Sequence, residues 1–174
     1  MLEICPYDPH FVDIFRRELD KISSIIDFDC RIEHIGSTSI PGMVGKGVID
    51  IMVAFNSKDE LSNGVNLLKN YYYLSEDNSG RNGRIFMRSS KNESTAGDIH
   101  LHLLTKDNPD LFNVLLFRNF LINNPDDQKA YAELKYMLKQ KVGDDRKKYT
   151  ELKNDFIKNI IDKAKKQSQI INLL

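Results

Sequence analysis

Apolar residues at helical spacing mark the first long element of the chain. Asp8 and Pro9 supply a cap and a first-turn proline, and seven apolar positions follow them at helical spacing: Phe11, Ile14, Phe15, Leu19, Ile22, Ile25 and Ile26. This stripe predicts a helix that packs on the rest of the protein. The apolar segment before it, residues 2–5, predicts a short strand.

Five segments then carry the patterns of β-strands, and a sixth carries the pattern of a second helix. Residues 31–35 and 71–74 predict strands, and the nearly continuous apolar run 48–55 predicts a central strand covered on both faces. Alternation of polar and apolar residues over 84–88 and 98–104 predicts two more strands that pair through the loop between them. A capping box at 57–60 opens a helix whose buried face is Leu61, Val65 and Leu68. Residues 78–83 predict a loop.

From Asn108 onward the spacing is helical throughout. Three helices are predicted, separated by the turn residues Asn124-Pro125 and Gly143-Asp144, and the tail 167–174 is expected to fray. Their inner faces carry Leu111, Val114, Leu115 and Leu121, then Ala130, Leu134 and Met137 or Leu138, then Tyr149, Leu152, Phe156 and Ile160. Mixed strands and helices followed by helices alone predict an α+β domain over 1–174, with a mixed core (1–106) and a helical portion (107–166).

Composition narrows the function classes. The 174 residues include 25 Lys plus Arg and 25 Asp plus Glu, so the formal net charge is zero. This balance argues against a generic nucleic-acid or membrane-surface binder. Cys5 and Cys30 lie in no CxxC or metal-site spacing, which favours free thiols. No signal peptide or membrane-length apolar run is apparent, so a soluble, cytoplasmic protein is expected.

A carboxylate inside the apolar run is the first candidate for chemistry. Asp50 is flanked by Val48, Ile49, Ile51 and Met52, and burying a charge there is costly unless something compensates it. Because perturbed acids cluster at functional sites, Asp50 is interpreted as a metal ligand or general base. The alternative is a structural carboxylate bonded to backbone amides or to a buried arginine.

The turn before that strand is the second candidate. Gly36 permits a close backbone approach, and Ser37, Thr38 and Ser39 add hydroxyl donors, so the segment could cradle phosphate oxygens. A Gly-Ser pair alone is more often a plain turn. The pair is a stronger indication of a phosphate site here, because a strand with an embedded aspartate follows it.

Asp98, His100 and His102 form the third candidate. They alternate with Ile99 and Leu101, so all three project from one face of the predicted strand. Histidines two residues apart can share a metal or contact an anion. Beside Asp50 they would form a polar pocket; the alternative is a solvated strand face.

Basic residues near these segments suit phosphate or carboxylate recognition. Lys46 lies between the turn and Asp50, and Arg84 and Arg88 share one face of their strand. Each could also be an ordinary surface charge. That second interpretation is preferred for the cations on the predicted helices, which are Arg118, Lys135, Arg146 and Lys153.

Successive blocks of the chain resemble the GrpB family. The most specific block is residues 33–42, Glu-His-Ile-Gly-Ser-Thr-Ser-Ile-Pro-Gly. Others run in order over nearly the whole chain: 5–9, 46 with 48–51, 100–102, 117–121, 131–135, and 144–146 with Tyr149 and Thr150. The resemblance implies a nucleotidyltransferase-like fold, a small mixed sheet with packed helices and a helical C-terminal portion.

The resemblance also implies an incomplete version of the superfamily's metal site. That site joins a Gly-Ser turn to a strand bearing Asp-x-Asp, with a third acid nearby, and its acids hold two magnesium ions. Gly36 and Ser37 match the turn and Asp50 matches the first acid, while Asp98 could be the third. The second acid falls on Met52, which cannot ligate magnesium.

Three functional hypotheses remain open. The first is an enzyme that transfers a nucleotidyl or phosphoryl group to a small molecule, with Asp50, Asp98 and His102 as catalytic residues. The second is a non-catalytic binder of nucleotides or other anions. The third is a metal-dependent hydrolase that uses Asp50, His100 and His102. The candidate ligands of a divalent cation, Mg, Mn or Zn, are Asp50, Asp98, His100 and His102. All three predict a small-molecule or nucleotide ligand, with no nucleic-acid or membrane partner.

Overall fold

A five-stranded mixed sheet in the order β1-β2-β5-β4-β3 is the centre of the molecule. The computed structural model describes residues 2–75, 83–91 and 96–171. Its strands are β1 (Cys30–Ile35), β2 (Ile49–Phe55), β3 (Tyr73–Leu74), β4 (Ile85–Arg88) and β5 (Ile99–Thr105). The central pair β2 and β5 is parallel, while β1 with β2, β4 with β5 and β3 with β4 are antiparallel.

Six α-helices surround this sheet in the described residues. They are α1 (His10–Ile25), α2 (Lys58–Leu68), α3 (Pro109–Asn123), α4 (Pro125–Val142), α5 (Arg146–Leu152) and α6 (Asn154–Ile171). One sheet face packs on α1 and α2 through a large apolar core that includes Ile51, Phe55 and Leu101. The other face meets α3 through Met52, Ala54 and Leu104. None of the helices in the described ranges is long and apolar enough to cross a membrane.

The predicted α+β class, a small mixed sheet with a helical C-terminal portion, is confirmed, as are the strands predicted at 31–35, 48–55, 84–88 and 98–104. The capping box is also present: the Ser57 hydroxyl accepts a hydrogen bond from the Glu60 amide. Most of the loop predicted at 78–83 lies outside the described residues.

Three local predictions are wrong, each because tertiary packing overrides the local pattern. Residues 2–5 form only an isolated bridge between Cys5 and Gly45, because Leu2 is buried against the helices beside Leu138 and Tyr149. The third C-terminal helix is divided into α5 and α6 by a turn at Lys153, where the sequence has neither glycine nor proline to announce a break. The helix α6 also continues to Ile171, so the fraying predicted from residue 167 is wrong up to that residue, and the remainder of the predicted tail, 172–174, lies outside the described residues.

The sheet face that meets α3 becomes polar at one end. Asp50 pairs in register with His100, and Met52 pairs with His102, across the parallel β2–β5 junction. Since side chains two apart share a face of a strand, these residues all lie on the α3 side. The register therefore brings together a carboxylate and two imidazoles that are about fifty residues apart in the chain.

Candidate active site

The turn after β1 brings the backbone against the carboxylate of Asp50. Gly36 has φ 71° and ψ −169°, a region that is almost restricted to glycine. A Cβ at this position would lie 2.4 Å from Asp50 Oδ2. Glycine is therefore needed here both for the bend and for the close approach of the carboxylate.

Two of the three hydroxyls in the 3₁₀ turn Ser37–Ser39 hold the turn in place. Thr38 Oγ1 donates to the Val48 carbonyl at 3.1 Å, so its oxygen accepts from His34 Nε2 at 3.0 Å. Ser39 Oγ donates to the Gly36 carbonyl at 2.7 Å. Ser37 is the hydroxyl of the three that lines the adjacent cavity.

His34 beneath this turn is neutral in the native protein and makes its stability sensitive to acid. Burial lowers the pKa of the His34 imidazole from 6.5 to about 4, and its ring stacks on Phe15. The unfolded chain therefore binds a proton between these pH values that the native protein does not, so stability falls as the pH drops below 6.5. The free energy of unfolding, measured with urea, should be about 2 kcal/mol lower at pH 5 than at pH 7.5 because of this group.

The matched controls for this effect are His34→Gln and His10→Gln. The first removes the buried imidazole and should reduce the pH-dependent loss, whereas the second replaces an exposed ring, 82% accessible, and should leave it unchanged. An identical acid sensitivity in His34→Gln would contradict the assignment to His34.

Asp50 sits between the two imidazoles of β5. His102 Nε2 lies 3.2 Å and His100 Nδ1 lies 3.4 Å from Asp50 Oδ1, and the side chain of Asp50 is 29% exposed. Burial would raise the pKa of the Asp50 carboxyl, but the hydrogen bonds and charges of His100 and His102 outweigh it and hold that pKa far below its usual range. Asp50 is therefore an ionised group with access to solvent, and its contacts are imidazoles rather than a structural arginine.

A cavity of about 360 Å³ opens beside this carboxylate. Ser37, Lys46, Asp50, His102 and Lys153 line it, and Asp50 is the only carboxylate among its described lining residues. Its remaining wall is largely apolar and comes from β1, the loop before β2, α3, α4 and α6; it includes Ile35, Val48, Val114, Phe117, Tyr131, Ile157 and Ile161. The cavity thus combines a charged floor with an apolar wall.

Burial and a neighbouring cation lower the proton affinity of each lysine in this cavity. Burial lowers the pKa of Lys46, and burial followed by the charge of Lys46 lowers the pKa of Lys153 to about 8. In both cases the charge of Asp50 opposes the shift. With one carboxylate against two lysines among the described lining groups, the site has an excess of positive charge that an anionic ligand would offset.

Lys135 lies directly behind the turn. It is 1% exposed, its Nζ is 2.6 Å from both Ser37 Oγ and the Val44 carbonyl oxygen, and it stands over the ring of Tyr131. The interpretation of Lys135 as a surface charge is therefore wrong, and Lys153, which is half-buried, lines the cavity. The sequence did contain a signal for the burial of Lys135, because this residue shares one face of α4 with the buried Tyr131 and Leu138.

Six of the predicted residues lie outside this cavity's lining, namely Thr38 and Ser39 of the turn and Arg84, Arg88, Asp98 and His100. The Asp98 carbonyl accepts the Ile49 amide at 2.8 Å, which joins β5 to β2. Arg84 forms an ion pair with Asp110, Nε to Oδ2 3.3 Å. The Nε of Arg88 is buried and has no hydrogen-bond partner among the described residues. His100 reaches Asp50 but is not itself a lining residue.

The donor set does not fit a pair of magnesium ions. Magnesium prefers oxygen ligands, and the position of the second acid is occupied by Met52, which is fully buried. No group of three His, Cys, Asp or Glu side chains within residues 2–75, 83–91 and 96–171 is arranged as a metal site. The assignment of a divalent ion to Asp50, Asp98, His100 and His102 stays a prediction.

Comparison with known proteins gives one family throughout. The sequence model described as GrpB protein matches residues 1–163. The UPF0157 protein BH1888 of Halalkalibacterium halodurans is 34% identical over 142 residues, which are 80% of this chain and 70% of that protein. The UPF0157 protein YqkA of Bacillus subtilis is 31% identical over 138 residues, 79% of this chain but only 39% of that protein.

Solved structures agree with this assignment. The crystal structure of the conserved protein GrpB from Enterococcus faecalis superposes with a TM-score of 0.82 and 29% identity, covering 96% of this chain and 99% of that chain. The Cid1 poly(U) polymerase superposes loosely, with a TM-score of 0.45, 13% identity and coverage of 75% of this chain and 45% of that chain. The second likeness is too loose to support an inference about this chain.

Proposed function

This chain belongs to the GrpB family, and we propose that it is a nucleotide-binding, nucleotidyltransferase-like protein that acts on a small molecule. The observation that carries the proposal is the cavity beside β2, where Lys46, Lys153 and Ser37 surround one ionised carboxylate. Lysine ammonium groups and a serine hydroxyl are suited to phosphate oxygens. The phosphates of a nucleotide would offset the positive excess of the site.

The charged floor and the apolar wall of the cavity match the phosphates and the base of a nucleotide. The phosphates would lie at the charged floor near Ser37 and Lys46, and the base would lie against the apolar wall formed by residues such as Val114 and Phe117. Binding sites of this type are mostly apolar, with a few placed polar groups that fix the orientation of the ligand.

Asp50 and His102 supply a proton-handling pair at the boundary of these two parts. The carboxylate accepts from His102 Nε2 at 3.2 Å, so it orients the imidazole. An acceptor hydroxyl placed near His102 could lose its proton to the imidazole as it attacks phosphorus.

Thermal unfolding with and without ATP tests the proposal. At an ATP concentration about 100-fold above Kd, binding should stabilise the native protein by about 2.7 kcal/mol and raise Tm by about 5–10 °C. A part of this shift should require MgCl₂, because one carboxylate together with substrate phosphates can hold magnesium. Asp50→Asn should remove the magnesium-dependent part, and the exposed-site control Asp59→Asn should not. Unchanged Tm with every nucleotide tried would sink the proposal.

The same melts separate two other functions. A nucleotide shift that is indifferent to metal would favour a non-catalytic binder, in keeping with Met52 at the position of the second acid. A zinc or manganese shift without nucleotide, lost in His102→Ala, would favour a metal-dependent hydrolase. That alternative draws on the two imidazoles that approach Asp50 Oδ1.

A further inference from the structure

Ser37 contacts a buried lysine, Lys135, which does not itself line the cavity. In the described part of the chain Lys135 forms no ion pair with a carboxylate; its Nζ contacts Ser37 Oγ and the Val44 carbonyl oxygen, each at 2.6 Å. The ring of Tyr131 lies below it, with the centroid 4.3 Å away. A lysine that is 1% exposed and has no acidic partner there is an unusual way to support a serine.

Lys135 Nζ donates to Ser37 Oγ and to the Val44 carbonyl, and it lies over the face of Tyr131. After loss of one proton, the Val44 carbonyl and the Tyr131 face can keep the two remaining N–H groups. The lone pair then faces Ser37 Oγ at 2.6 Å, where it can accept the hydroxyl hydrogen. Burial lowers the pKa of Lys135 well below its ordinary value, and the charges of Lys153 and Lys46 add to this while Asp50 opposes it.

We propose that Ser37 and Lys135 form a serine–lysine nucleophilic pair, in which Ser37 Oγ accepts a phosphoryl or nucleotidyl group covalently. The Oγ–P bond forms while the phosphoanhydride P–O bond breaks, and the leaving phosphate oxygen keeps the bonding electrons. The hydroxyl proton passes to Lys135 Nζ, which becomes an ammonium. Only the identity of the donor, a nucleoside triphosphate, rests on the proposed function.

The surroundings favour this role over a purely structural one. Ser37 lines the cavity, so a donor can reach its oxygen, whereas Lys135 is shielded from water behind it. Gly45 packs so closely that an added Cβ would lie 2.8 Å from Ser37 Cβ and 3.2 Å from Ser37 Oγ. Ser37 and Lys135 are thus held together by the 3₁₀ turn on one side and the segment at Val44 and Gly45 on the other. A nucleophile and its base need fixed relative positions of this kind.

Labelling with an uncharged fluorophosphonate ester tests the pair directly, because the fluoride leaves as the serine oxygen bonds to phosphorus. Peptide mass spectrometry should place the adduct on Ser37. Lys135→Arg cannot act as a base, and should slow labelling about a hundredfold. Lys139→Arg, on the same helix but bonded to Asp144 at 2.8 Å, should label at the wild-type rate. Circular dichroism confirms that both variants are folded.

The pH dependence of wild-type labelling gives an answer even if Lys135→Arg does not fold. The rate should rise with pH and level off well below the ordinary lysine value of 10.5, as the ammonium of Lys135 loses its proton. Absence of an adduct on Ser37, a rate unaffected in folded Lys135→Arg, or a rise that continues to pH 10.5 would overturn the proposal. Labelling that succeeds while ATP fails to raise Tm would sink the proposed function alone.

Discussion

Gly36→Ala should lower the free energy of unfolding by about 3 kcal/mol and abolish stabilisation by ATP. Backbone strain at this glycine-only conformation costs of the order of 1–3 kcal/mol for other residues. The new Cβ would also lie 2.4 Å from Asp50 Oδ2, so either the turn or the carboxylate must move. Both belong to the proposed phosphate site, and therefore stability and binding fail together. Urea unfolding and ATP-dependent melts measure the two effects.

Two variants separate the contact with Asp50 from the backbone conformation. Gly143 also has a positive φ of 60°, but nothing lies within 4 Å of an added Cβ. Gly143→Ala should therefore cost less stability and leave ATP binding intact. In the double variant Gly36→Ala with Asp50→Ala the 2.4 Å contact with Oδ2 is gone and only the Cβ of residue 50 remains, at 3.1 Å, so the combined loss should be smaller than the sum of the single losses. Strict additivity would contradict a direct contact.

Lys153→Glu should weaken ATP binding at least a hundredfold. The substitution replaces a cation that lines the cavity with a second carboxylate near Asp50. Losing a hydrogen bond to a charged group costs about 1.5–3 kcal/mol. Repulsion between the new carboxylate and the phosphates weakens binding further. Isothermal titration calorimetry with ATP measures the change in Kd.

The charge series at this position identifies the cause. Lys153→Met should weaken ATP binding about tenfold, because it removes the charge and keeps the apolar stem. Lys153→Arg should bind ATP with a Kd near that of the wild type. Lys158→Glu places the same new charge on an exposed position of α6 and should change Kd little. Equal weakening in Lys158→Glu and Lys153→Glu would point to a general electrostatic effect instead of a contact in the cavity.

The candidate site was predicted from the sequence where its signals are local. The bend at Gly36-Ser37, the carboxylate of Asp50 and the alternation that includes His102 were each visible within a few residues. The helical cations were not, because Lys135 and Lys153 resemble solvated charges when only their own neighbours in the chain are considered. The burial of Lys135 depends on α4 packing against the turn, which is a contact between segments about a hundred residues apart.

Asp98 shows the same limit of local signals, because here a residue that was predicted to be in the site lies outside it. Period two places it on the same face as His100 and His102, but a shared face does not determine position along the strand relative to a neighbour. The parallel register with β2 pairs Asp50 with His100, and Asp98 falls outside the lining of the cavity.

The sequence by itself determined the class of fold, the approximate extent of most elements and the candidate acid, because periodicity, caps and a costly buried charge are properties of short segments. Tertiary structure alone decided that Leu2 packs on helices instead of a sheet, that the last predicted helix breaks at Lys153 and that Ser37 meets Lys135. Each of those outcomes depends on which distant surfaces bury one another, and burial is a property of the assembled molecule that no short segment contains.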